Sequence, residues 1–136
     1  MSLLYTARIH AIGGRDGTVK SDDGKLDLRL SYPKALGGDG AHANTEQLFA
    51  AGYASCFAST LKTIAKAETV TVAEVEVDAE AAIHLDAGAY DLQVHLWMRA
   101  SEVERAVLTQ LVEKTKGACP YSRATRGNVR TTVELS

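Results

Sequence analysis

Between Leu26 and Ser31 apolar and polar residues alternate strictly, with Leu26, Leu28 and Leu30 on one face and Asp27, Arg29 and Ser31 on the other. A period of two marks a half-buried strand. Strands are expected over Leu3 to His10 and through Thr18 to Ser31, with turns at Gly13-Gly14-Arg15-Asp16-Gly17 and Asp22-Asp23-Gly24-Lys25. The alternation returns in two longer runs. Val75, Val77, Ala79, Ala81, Ile83 and Leu85 share a face in the first, and Tyr90, Leu92, Val94, Leu96 and Met98 in the second. Asp86-Ala87-Gly88-Ala89 between them reads as a hairpin turn. Asn128 to Leu135 predicts a final strand.

Three segments break this period. After a glycine-bearing loop over Pro33 to Ala43, Asn44 fits a helix N-cap, with Gln47 at the reciprocal capping-box position. That helix is expected to reach about Lys66. Its middle has almost no polar face, and Ala50, Ala51, Gly52, Ala54, Ser55, Ala58 and Ser59 are small. Such a helix calls for burial on nearly all sides, more than a chain of 136 residues easily supplies, so a second subunit is expected to provide part of the cover. Ser101 and Glu104 predict a second capping box, followed by an apolar stripe of Val103, Ala106, Val107, Leu111 and Val112 that Gly117 ends. Cys119-Pro120 predicts a short third helix with proline at its first position. The expected fold class is α+β, with antiparallel sheets around a long buried helix and one domain spanning residues 1–136.

Composition narrows the function classes. The chain is 46% hydrophobic and 24% charged, with a net charge of −2, which argues against a general nucleic-acid binder or a polybasic membrane surface. The longest uncharged run, between Glu46 and Lys62, falls short of the ~20 residues of a membrane span. Met1 to Arg8 lacks the order of a signal peptide, so a cytoplasmic location is expected. The four histidines, His10, His42, His84 and His95, have no metal-ligand spacing, and no metal site is expected.

Cys56 and Cys119 are the two cysteines, too far apart for a CxxC motif. Paired cytosolic cysteines are more often inert packing residues than a redox couple. Cys56 lies in the apolar helix, where burial raises a thiol's pKa, and no cation stands within one turn of it. Arg15, in its glycine turn, is a candidate for that charge, and equally an ordinary solvated arginine. Cys119 precedes Pro120, so a helix start would stabilise its thiolate; the plainer reading is a loop cysteine that packs. On this reading Cys56 has the buried setting and Cys119 the polar one. Glu46 suits the first turn of the long helix through the helix dipole alone. It lies about 15 Å along that helix from Cys56, so a shared site needs an interrupted helix or a dimer interface.

Asn44-Thr-Glu-Gln-Leu-Phe-Ala-Ala-Gly-Tyr-Ala-Ser-Cys-Phe57 and Cys119-Pro-Tyr-Ser-Arg-Ala-Thr-Arg-Gly-Asn128 resemble the two cysteine motifs of organic hydroperoxide resistance proteins, the Ohr branch of the Ohr/OsmC family. Gly13 to Gly17 resembles that family's arginine-bearing turn, and the likeness covers essentially the whole chain. Thr45 departs from the family pattern, which has proline before the glutamate. The resemblance implies an OsmC-like, intertwined homodimer with two active sites at its interface. It implies a thiol peroxidase in which Cys56 attacks the peroxide and Cys119 closes an intrachain disulfide. Arg15 would stabilise the Cys56 thiolate and orient the peroxide, and Glu46 would hold Arg15. The substrates would be organic hydroperoxides, and dihydrolipoyl groups on a carrier protein the reductant, with no metal, haem or flavin cofactor. Two alternatives stand beside this: the osmotically inducible branch of the same family, which Cys119-Pro-Tyr-Ser122 disfavours, and a non-catalytic dimer that binds apolar ligands.

Overall fold

The computed structural model describes residues 1–136, which divide into two compact units, Met1–Leu48 and Phe49–Ser136. The first unit holds a three-stranded antiparallel sheet of β1 (Ile9–Ile12), β2 (Thr18–Ser21) and β3 (Asp27–Arg29). The expected strand over Leu3 to His10 forms only at its end. Met1 to Arg8 takes no regular structure, and Leu3, Leu4 and Tyr5 stand exposed. The expected stretch Thr18 to Ser31 splits into β2 and β3 around the predicted turn. There the Asp23 carboxylate accepts from the Ser21 hydroxyl at 2.6 Å and the Lys25 amide at 3.0 Å.

Helix α1 (Thr45–Ala67) starts at the predicted capping box. The Gln47 amide donates to the Asn44 side chain at 2.9 Å, and the Asn44 amide donates to the Gln47 side chain at 3.0 Å, so two otherwise free amides are satisfied reciprocally. The helix is unbroken to Ala67. Within the second unit its buried face is Tyr53, Phe57, Leu61 and Ala65, a stripe spaced by four residues. Ala51, Ser55 and Ser59 form an exposed stripe in the single chain, while Ala50, Gly52, Ala54 and Ala58 beside it are half-buried, so the chain by itself leaves one side of the helix uncovered.

The second unit's sheet has the order β4 (Ala73–Asp86), β5 (Ala89–Ser101), β6 (Arg130–Leu135). The Ala87-Gly88 turn has positive φ at both residues, 50° and 82°, as the twist of a two-residue hairpin demands. β5 is central, and its Val94, Leu96 and Met98 are fully buried in one core with the α1 stripe and with Leu108, Leu111 and Val112 of α2 (Arg105–Ala118). Truncating one of these leucines to alanine costs about 2–5 kcal/mol in such a core. No helix of the chain is long and apolar enough to cross a membrane.

Three expectations are corrected here. β6 pairs with β5 in parallel, Gln93 opposite Arg130 through Met98 opposite Leu135, so the second sheet is mixed and not wholly antiparallel. The reason is the crossover: the chain leaves β5 through two helices and returns to its beginning, and such a connection makes a parallel neighbour. Ser101 does not cap α2, because it pairs with Ala73 at the end of β5, and the chain turns at Glu102 before the helix begins. Gly117 does not end α2. The helix continues to Ala118 and stops because Cys119, preceding Pro120, is held extended at ψ 124°.

Candidate functional site

Arg15 sits in a single 3-10 turn, Gly14–Asp16, between β1 and β2. The turn is tight enough that a Cβ on Gly17 would lie 1.7 Å from the Ile12 carbonyl oxygen, so only glycine fits there. The Arg15 guanidinium donates two hydrogen bonds to the Glu46 carboxylate, at 2.8 and 2.6 Å. This fork-to-fork geometry is the strong form of an arginine–carboxylate pair. Glu46 is anchored a second time by the Thr45 hydroxyl at 3.1 Å, which is the position where the family pattern has proline. The bond from Arg15, chiefly, holds the Glu46 carboxyl below its ordinary pKa of 4.5. The pairing of Arg15 with Glu46 anticipated from the resemblance is therefore present, entirely within the first unit.

The second unit brings the two thiols together. Cys56 projects from α1, one residue before the buried Phe57 and so at the edge of the apolar stripe. Cys119 joins α2 to α3 (Pro120–Thr125): its amide donates to the Thr115 carbonyl at 2.8 Å and its carbonyl accepts from the Arg123 amide at 2.9 Å. Both cysteines are free, and their side chains lie within hydrogen-bonding reach of each other. Burial pushes the Cys56 thiol above its ordinary pKa of 9.0, and the adjacent Cys119 adds to this by charge and by its hydrogen bond. The Thr60 hydroxyl, which donates to the Cys56 carbonyl at 2.9 Å, and the Tyr121 amide, which donates toward the sulfur, act in the opposite sense.

The settings of the two thiols reverse the expected ones. Cys119 is fully buried in the core, while Cys56 remains partly exposed within the chain. Nor does the start of α3 serve Cys119, whose side chain makes no capping hydrogen bond. The amide freed at that helix start belongs to Tyr121, and it faces Cys56. The cause is geometric. Cys119 spends its backbone on the α2–α3 corner and turns its side chain into the core, so the first free amide beyond Pro120 meets the neighbouring helix.

Sequence reasoning missed the groups that seat α3 on α1. Tyr53 is fully buried, and its hydroxyl meets Ser122 Oγ at 2.9 Å and Thr125 Oγ1 at 3.4 Å. The Tyr121 ring lies 5.8 Å from the Tyr53 ring, and Gly52 makes room for it, since a Cβ there would stand 3.0 Å from the Tyr121 hydroxyl oxygen. A tyrosine three residues before a cysteine in an apolar run was the available signal: a buried phenol needs a polar partner.

Residues 38–134 match the family described as OsmC-like protein. An organic hydroperoxide resistance protein of Xanthomonas axonopodis pv. citri is 42% identical over 98% of this chain and 96% of its own length. The organic hydroperoxide resistance protein OhrA of Bacillus subtilis is 43% identical over the same shares. Among solved structures, an organic hydroperoxide resistance protein from Legionella pneumophila has 38% identity and a TM-score of 0.96, with 99% of each chain covered. One from Vibrio cholerae, solved with captopril in one of its active sites, has 39% identity and a TM-score of 0.95, covering 99% of this chain and 94% of that one. With this coverage at both levels, the chain belongs to the OsmC-like family, in its organic hydroperoxide resistance branch.

Proposed function

We propose that the chain acts in organic hydroperoxide resistance as a thiol peroxidase that reduces alkyl, aryl and fatty-acid hydroperoxides to alcohols. The observation that carries this reading is the free Cys56–Cys119 pair in mutual hydrogen-bonding reach, with the more exposed thiol beside a backbone amide. In the first step the Cys56 thiolate attacks the distal oxygen of the hydroperoxide. An S–O bond forms, the O–O bond breaks, and the alkoxide leaves with a proton as the alcohol; Cys56 becomes a sulfenic acid, oxidised by two electrons. Cys119 then attacks that sulfur, forming the disulfide and expelling water. A dihydrolipoyl group of a carrier protein returns both thiols and leaves as its own cyclic disulfide. The chemistry runs on sulfur and needs no metal, haem or flavin.

Within this reading Arg15 supplies the charge that the Cys56 thiol needs, lowering its pKa and orienting the peroxide, and Glu46 keeps the guanidinium aimed. A homodimer provides the setting. The small, exposed Ala51, Ser55 and Ser59 on α1 and the exposed Leu3, Leu4 and Tyr5 are the surfaces that a second copy would cover.

The test is a count of free thiols before and after one equivalent of cumene hydroperoxide, together with Cys56→Ser. The proposal expects both thiols of each chain to disappear without an intermolecular crosslink, and Cys56→Ser to keep its fold and lose peroxide reduction. Substantial turnover in Cys56→Ser, or thiols that persist, would assign the chain to ligand binding.

A further inference from the structure

α3 is six residues long, too short to hold its own geometry in water, so whatever pins it decides where its first free amide points. The pins are legible by counting protons. The Thr125 hydroxyl has one proton, which it directs at the Tyr121 carbonyl at 3.0 Å and the Ser122 carbonyl at 3.2 Å. Its contact with Tyr53 can then be made only by accepting, which uses the single proton of the Tyr53 hydroxyl. The 2.9 Å contact between Tyr53 and Ser122 is left with Ser122 as donor. One order satisfies all the contacts: Ser122 to Tyr53, Tyr53 to Thr125, Thr125 to the carbonyl of Tyr121.

This chain is buried throughout, with Tyr53 at 0% exposure, Thr125 at 5% and Ser122 at 8%. It begins and ends on α3 and passes through α1 three residues before Cys56. The residue whose carbonyl it holds is the one whose amide faces Cys56, and Cys119 adjoins the same turn.

We propose that Tyr53 is a positioning residue: its hydroxyl, bridging Ser122 and Thr125, holds the start of α3 so that the Tyr121 amide faces Cys56 and Cys119 stays within reach. The inference rests on the peroxidase reading above. Tyr53 touches neither reacting sulfur's chemistry directly. It acts on the approach of Cys119 to the oxidised Cys56, the step that forms the S–S bond, breaks the S–O bond and releases water.

The experiment compares the full-length protein with Tyr53→Phe, which keeps the ring and removes only the bridge. Two quantities are read after one equivalent of cumene hydroperoxide: the rate of disulfide closure by intact mass after thiol trapping, and the pH profile of peroxide consumption. Closure is expected to slow about tenfold, the rate equivalent of one net hydrogen bond. The profile is expected to move to higher pH as the Tyr121 amide leaves the sulfur. Ser122→Ala cuts the same chain at its other end and is expected to do the same, which keeps the test alive if Tyr53→Phe fails to fold. Leu61→Val loosens the same face of α1 without touching the bridge, and should leave the pH profile where it was. Wild-type closure and profile in both Tyr53→Phe and Ser122→Ala, or an equal pH shift in Leu61→Val, would overturn the inference. Turnover that survives Cys56→Ser would sink the peroxidase reading instead, so the two failures are distinguishable.

Discussion

Glu46→Gln keeps the side chain's length and shape but removes its charge and one of the two acceptors that Arg15 uses. Hydrogen bonds to charged groups are worth about 1.5–3 kcal/mol when water is excluded. Here Arg15 is 28% exposed and Glu46 14%, so solvent screening trims the pair, and glutamine retains one acceptor. The expected loss is about 1–2 kcal/mol at neutral pH. For a chain of 136 residues an unfolding entropy of about 2 cal/mol/K per residue converts this to a Tm lower by roughly 3–8 °C. The pH dependence has a definite sign. The Glu46 carboxyl is depressed below 4.5 in the folded protein, chiefly by Arg15. Its stabilisation is therefore present above pH 4.5 and lost as the pH falls through the folded pKa. Asp23 and Asp39, also depressed by hydrogen bonds in their own turns, are common to both proteins and cancel in the difference. Thermal melts of the two proteins, followed by circular dichroism from pH 7 to pH 3, read the gap directly. It should be constant down to about pH 5 and close below 4.5. A gap that persists unchanged at pH 3, or no gap at pH 7, refutes the reasoning.

Three more outcomes follow from the same residues. Arg15→Lys should recover only part of the kcat/KM lost in Arg15→Ala, since lysine cannot make the paired contact with Glu46; full recovery would reduce Arg15 to a point charge. Cys119→Ser should consume about one peroxide per chain and then stall with dihydrolipoamide, accumulating sulfinic acid at Cys56 by intact mass, and normal turnover would remove Cys119 from the cycle. Cumene and tert-butyl hydroperoxides should show higher kcat/KM than hydrogen peroxide, because their carbon groups gain about 25 cal/mol per Å² of apolar surface buried; equal values would argue against an apolar peroxide site.

What the sequence determined by itself is what short-range physics controls. The Asn44–Gln47 capping box is written within four residues, as is the Ala87-Gly88 hairpin, and both form as read. Pro120 at the start of α3 also acts on its immediate neighbours, and the helix begins there. The motifs around Cys56 and Cys119 carried the family, and Arg15 with Glu46 came from that resemblance and not from any local rule.

The tertiary structure decided whatever depends on which segments meet. Ser101 has the composition of a cap, but its pairing with Ala73 kept it in the sheet. β6 runs parallel because two helices carry the chain back to the start of β5, which no pattern within β6 records. Exposure of the thiols went against composition for the same reason. An apolar helix suggested a buried Cys56, yet its position beside the Tyr53–Phe57–Leu61 stripe leaves it at the edge, while the α2–α3 corner folds Cys119 inward. The Tyr53 bridge is the furthest from sequence: a phenol on one helix finds two hydroxyls on another some seventy residues later. Local patterning requires that a buried tyrosine have a partner, but only the packing of α3 against α1 selects Ser122 and Thr125.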